Sequence, residues 1–152
     1  MKTIVQSFLT MLILCFLAPV FADELLMVRS KQDFPETMLA LQTSIKEHGY
    51  EITRVQRIDI GLTGKGYNTD KYRVVFVGKK GEISYLVDKY PVLAAFMPPQ
   101  ISVFAEHGET MLVTANPNIY ADMIDGADDK ILFKRWESDI NSVFDDIRDA
   151  GD

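Results

Sequence analysis

The chain has 152 residues, 47% hydrophobic and 25% charged, the proportions of an ordinary globular protein. Nine glycines, six prolines and a single cysteine exclude collagen-like, low-complexity and disulfide-scaffold classes. A formal net charge of −6 argues against non-specific nucleic-acid binding, which relies on a basic surface.

The first segment reads as a targeting signal. Met1 and Lys2 give a weakly positive start, and Leu9 to Val20 is apolar apart from Thr10. Val20-Phe21-Ala22 is followed at once by Asp23 and Glu24, the pattern a signal peptidase accepts. The apolar run is short for a membrane span, which needs about 20 residues. Cys15 follows Leu14 rather than a small residue, so it is not read as a lipoprotein cysteine and leaves with the signal. Cleavage after Ala22 would release a 130-residue chain, Asp23 to Asp152, into the periplasm or the medium. That chain has no cysteine and no membrane span, so thiol catalysis and thiolate metal sites drop out.

Glu24 to Ser30 reads as a first strand. Asp33 and Glu36 have capping-box spacing, Pro35 suits a first helical turn, and Phe34, Met38, Leu41 and Ile45 recur at helical period. Gly49 after His48 is a helix stop. From Tyr50 the period becomes two, with Tyr50, Ile52, Arg54, Gln56 and Ile58 on one side of a strand and Glu51, Thr53, Val55 and Arg57 on the other. Gly61, Gly64 and Gly66 predict a loop, Tyr72 to Val77 a central strand, and Ile83 to Tyr90 a short helix ended by Pro91. After Met97-Pro98-Pro99, residues 100–105 and 110–114 alternate around the turn Glu106-His107-Gly108-Glu109, predicting a hairpin. Asn116 caps a short helix that Pro117 opens. Asp128 and Asp129 begin a final helix whose apolar face is Leu132, Trp136, Ile140, Val143, Phe144 and Ile147. The order β-α-β-β-α-β-β-α-α predicts a single α+β domain with helices on one sheet face.

Several pieces then share a known order and spacing. They are Ile-Lys-Glu-x-Gly-Tyr (45–50), Arg-Ile-Asp (57–59), Arg-Val-Val-Phe-Val-Gly (73–78), Met-Pro-Pro-Gln-Ile-Ser-Val-Phe (97–104) and Thr-Ala-Asn-Pro (114–117). Together they resemble the small bacterial family known as domain of unknown function 302. The resemblance implies a compact α+β domain over residues 23–124 that often pairs as a homodimer. It implies no agreed catalytic residue. The acidic segment 125–152 is then a C-terminal helical extension packed on the same domain.

Charge divides unevenly. Residues 121–152 hold ten acids and four bases, whereas residues 54–80 hold seven bases and two acids. The acidic segment could lie on the basic one, the basic one could hold an anionic ligand, or both could simply be solvated.

The chemistry-bearing candidates are few. Gly61-Leu-Thr-Gly64-Lys65-Gly66 fails as a phosphate loop, because Tyr67 and Asn68 stand where Lys and Ser/Thr are needed. Asp122, Asp125, Asp128 and Asp129 lack the alternate spacing of a calcium loop. Ser44, Ser84 and Ser102 have no histidine nearby in sequence, so an enzyme would need a spatially assembled site. His48 suits a helix C-terminus. Met97, His107 and Met111 surround one hairpin, and thioether plus imidazole ligands suit copper; core-filling methionines beside a solvated histidine are the plainer account. Tyr50, Tyr67, Tyr72, Tyr85, Tyr90 and Phe96 could line a pocket beside Arg54 or Arg73, or form core and a dimer seam. The leading expectation is a non-catalytic exported module that dimerises and binds a small ligand or a protein partner. A copper-binding protein and an enzyme are the alternatives.

Overall fold

The computed structural model describes residues 24–151. The expected signal segment, 1–22, lies outside them. Five strands form one antiparallel sheet, β1 (Leu25–Ser30), β2 (Glu51–Arg57), β3 (Tyr72–Gly78), β4 (Gln100–Glu106) and β5 (Glu109–Ala115), in the order β1-β5-β4-β3-β2. Between and after them run α1 (Phe34–Glu47), α2 (Ile58–Thr63), α3 (Lys80–Lys89) and α4 (Ala127–Asp149), with 3-10 turns at Pro91–Ala95 and Pro117–Met123.

Local chemistry sets these boundaries. The Asp33 carboxylate accepts the Glu36 amide at 3.0 Å and starts α1. At its end Gly49 turns left-handed, at φ +75, so its N–H reaches Lys46 O and the Tyr50 N–H reaches Ile45 O. That paired pattern closes the last carbonyls and releases the chain into β2. The β4–β5 hairpin turns through His107 (φ 52) and Gly108 (φ 87), the two left-handed residues that a tight hairpin with the native twist requires.

Register divides the sheet into two faces. On one, Val28, Ser30, Thr110, Leu112, Thr114, Ile101, Val103, Val75 and Val77 are buried beneath α1 and α4. Helix α1 contributes Leu41 and Ile45, and α4 contributes Phe133, Trp136, Ile140, Val143, Phe144 and Ile147. Each large side chain so buried contributes about 1.5–3 kcal/mol. Helix α4 therefore supplies much of the one core the domain has, and its apolar face is close to the one its periodicity predicts. Phe133 is buried, whereas Leu132 is only partly so.

Two local expectations change. The glycine-rich segment after β2 begins with a helical turn, α2, rather than a loop. Arg73 binds the Asp59 carboxylate and the Thr63 hydroxyl donates to Asp59 O at 2.7 Å, which holds the turn closed. In β2 the strict alternation breaks. Ile52 pairs with Val77 but Arg54 pairs with Phe76, so Thr53 is an extra residue, a β-bulge. The bulge moves Arg54 and Gln56 off the side they would share with Tyr50 and Ile52 and onto the helix-free face.

Asn116 joins three elements. Its N–H donates to Glu24 O at 2.8 Å, its Oδ1 accepts the Asn118 amide at 2.9 Å, and its Nδ2 donates to Glu137 Oε1 at 2.6 Å. Replacing it with alanine removes a cap and leaves its partners short of a bond. We expect Asn116→Ala to lower unfolding free energy by about 1–2 kcal/mol, read from urea unfolding with an unchanged m-value.

Candidate functional site

The second face of the sheet bears Leu25 and Met27 from β1, Met111 and Val113 from β5, Phe104 from β4, and Tyr72, Val74 and Phe76 from β3. None of these eight belongs to the helix-side core. Met27 is 54% exposed, and Tyr72 and Phe104 meet edge to face with centroids 6.0 Å apart. Leu25 and Met27 are the most exposed members of this apolar patch, whereas Val74 is buried.

Two hollows open at the end of this face where β3 leaves the sheet. The first, about 460 Å³, lies between the β2 bulge, Phe76, Pro98 and the α3 residues Lys80, Ile83 and Ser84. The second, about 420 Å³, lies on the other side of Phe76 and Pro98, against Phe96, Met97, Ser102 and Tyr120. Gly78 makes the first possible: a Cβ there would stand 2.2 Å from Ile83 Cδ1. Without it, Ile83 packs directly over the strand end and becomes the hollow's wall. Helix α3 has two faces. Lys80, Ile83 and Ser84 look onto the hollow, while Glu82, Tyr85 and Lys89 bond to α4 and Leu86 is buried in the core.

The polar clusters elsewhere are ties between elements. Asp129, at the first turn of α4, accepts Tyr85 Oη at 3.0 Å, Lys89 Nζ at 2.7 Å and Tyr90 Oη at 2.7 Å. Lys89 and Tyr90 hold its carboxyl below the usual range, and it in turn raises Lys89 and Tyr90. Glu82 accepts Trp136 Nε1 at 2.8 Å and Arg135 at 2.5 Å. Tyr50 donates to Asp139 at 2.7 Å under Lys79, whose ammonium lies 4.6 Å from the ring centre. Burial, then Asp139, push the Tyr50 phenol up. The Asp129 carboxyl held low and the Tyr50 and Tyr90 phenols held high are moved away from neutrality, opposite to the tuning of a general acid or base at pH 7.

The structure does gather Ser44, His48 and Asp146. Ser44 donates to Asp146 Oδ2 at 2.6 Å, and His48 Nε2 contacts the same oxygen at 3.0 Å. The carboxylate stands between serine and histidine, whereas a nucleophilic triad needs the histidine there. Ser84 and Ser102 line the first and second hollows.

Met97, His107 and Met111 are not brought to one point. Met97 precedes β4 and His107 follows it, and seven strand residues separate them by about 20 Å. Met97 packs against the core, His107 is exposed at the hairpin tip, and Met111 lies beside Phe104 on the open face. Three ligands so spread cannot share an ion. Among the described residues no group of three or more His, Asp or Glu converges. Nor is any described helix long and apolar enough to cross a membrane.

The aromatic residues also separate. Phe96 lines the second hollow, Tyr85 and Tyr90 serve Asp129, Tyr50 serves Asp139, and Tyr67 is 63% exposed. Arg73 is engaged by Asp59, so of the two arginines only Arg54 reaches a hollow. Sequence reasoning missed Phe76, Ile83 and Pro98 as hollow-lining residues. Gly78, the last residue of β3, is the available signal.

The Ser44 hydroxyl, then His48, lower Asp146 from the ordinary 3.8. A depressed carboxyl contributes stability above that value and loses it as pH falls through the folded value. Asp146→Asn should therefore melt below the parent at neutral pH. The gap should close as pH drops below 3.8, followed by circular dichroism melts across pH. Because Asp146 is half exposed, the gap at neutral pH should be small.

Comparison with known proteins bears on this fold. A crystal structure of an uncharacterized conserved protein DUF302 from Bacillus stearothermophilus is similar, with a TM-score of 0.73. It shares 19% identity, with 82% of this chain and 98% of that one covered, so the likeness is one of fold. No curated protein matches the chain. A model of the family described as domain of unknown function DUF302 matches residues 26–147, from β1 through nearly all of α4. The chain belongs to the DUF302 family.

Proposed function

We propose that this chain is an exported, non-catalytic module that pairs with a second copy of itself and holds a small ligand. The observation that carries the ligand reading is the first hollow. It has the volume of a small-molecule site and a mainly apolar wall built on two rigid strands and a helix. The tightest polar clusters support binding over catalysis, because Asp129, Glu82 and Asp146 are already committed to ties between helices.

Pairing is supported by the open face. Its centre, Met27, Met111, Val113, Ser102, Phe104, Tyr72 and Val74, carries no charge. A twofold axis through it would bring apolar side chains together without opposing like charges. Export is supported by the targeting pattern that ends at Ala22.

Native mass spectrometry of the chain recovered from its own host tests all three parts. The expected result is a chain beginning at Asp23, two copies per particle and a retained organic mass. A bare, unprocessed single copy would overturn the reading. Phe104→Glu places two like charges across the proposed seam. It should convert the pair to single copies in light-scattering chromatography while the far-ultraviolet spectrum is kept.

A further inference from the structure

We infer that the first hollow takes a small anionic amphiphile, an apolar body ending in a single carboxylate, with Arg54 and Lys80 holding the head. The inference rests on the small-ligand reading above and names the class of molecule.

Three observations converge. The first is the β2 bulge. Strict alternation would place Arg54 with Tyr50 and Ile52 on the helix side. The extra residue, Thr53, turns it instead beside Phe76 on the open face and into the hollow. The Thr53 hydroxyl donates to Phe76 O at 3.3 Å and pins the distortion. Bulges of this kind re-aim side chains beside binding sites.

The second is which cations remain unpaired. Within the basic stretch, Arg73 binds Asp59, and Lys79 lies 4.0 Å from Asp139 and over Tyr50. Among the described residues, the acidic helix forms an ion pair with the basic segment only at Lys79. Arg54, Arg57, Lys65, Lys71 and Lys80 make no ion pair among the described residues, and of these Arg54 and Lys80 line the hollow. Glu51 is the one acid on the same wall, so two bases face one acid in a chain whose formal net charge is −6. Arg54 offers a planar fork that matches a carboxylate, and Lys80 adds a compact charge beside it.

The third is the wall opposite the charges. Phe76, Ile83 and Pro98 present hydrocarbon, and Ile83 is held there because Gly78 leaves it room. An inorganic anion would leave that wall unused, and a neutral apolar molecule would leave both exposed cations without a partner. An anionic head on an apolar chain satisfies both.

Isothermal titration of the full chain with decanoate, decanol and decylammonium tests this. Decanoate should bind at least about tenfold more tightly than either of the others. Arg54→Gln and Lys80→Gln should each weaken decanoate by about tenfold and leave decanol unchanged. Arg57→Gln, on the same strand but outside the hollow, should bind decanoate as the parent does. Equal binding of all three probes would overturn the anionic head while leaving the small-ligand reading intact. Binding of none would overturn that reading as well. Co-sedimentation with phosphatidylglycerol vesicles in the absence of any heat from decanoate would place the anion on a membrane surface and overturn the free amphiphile.

Discussion

Two helices can bury only one face of a five-stranded sheet, and the structure follows from that limit. Helices α1 and α4 spend their apolar faces on the inner sides of all the central strands. The outer side keeps Met27, Met111, Phe104 and Tyr72 uncovered by α1 and α4. In a domain this size there is no third layer to cover them. The uncovered face is therefore the one on which we propose pairing, and the hollow at its end beside α3 is the one we propose for a small molecule.

The polar groups answer the same constraint. A chain without a cysteine in its described part must hold α3 and α4 against the sheet by packing and hydrogen bonds alone. Asp129 gathers Tyr85, Lys89 and Tyr90 at one end of α4, Glu82 gathers Trp136 and Arg135 a turn or two later, and Asp146 gathers Ser44 and His48 at the other end. These are spaced along the helix like rivets. The first two fix α3, and with it Ile83, so the wall of the hollow is positioned from the core side, while the third ties α4 to α1.

Much of this frame could be read directly from the residues. The Asp33 cap, the Gly49 stop, the hairpin at His107-Gly108 and the Asn116-Pro117 turn each depend on chemistry within a few residues. Each appears where that chemistry places it. The apolar face of α4 was legible because a long helix repeats its period many times. The exceptions share a cause. Helix α2 forms across glycines because Arg73, far along the chain, holds Asp59. The bulge at Thr53 depends on how β2 meets β3, and no alternation rule contains it, so Arg54 was assigned to the wrong side. The separation of Met97 from His107 follows from the length of β4 between them. Of the residues that line the first hollow, the pattern singles out Arg54 alone as a possible pocket neighbour. Phe76, Ile83 and Pro98 meet there through tertiary packing, which local patterns do not encode.

The central claim is that the bulged strand, the Phe76 strand and α3 form one binding site. The most direct measurement is a nitrogen-15 correlation spectrum of the labelled chain, recorded as decanoate is added. The amides of Thr53, Arg54, Phe76 and Ile83 should move together on one saturation curve, while those of Ser44 and His48, on the far side of the core, stay still. Shifts centred on Met27 and Met111 instead, or no saturable shift at Arg54 and Ile83, would contradict it.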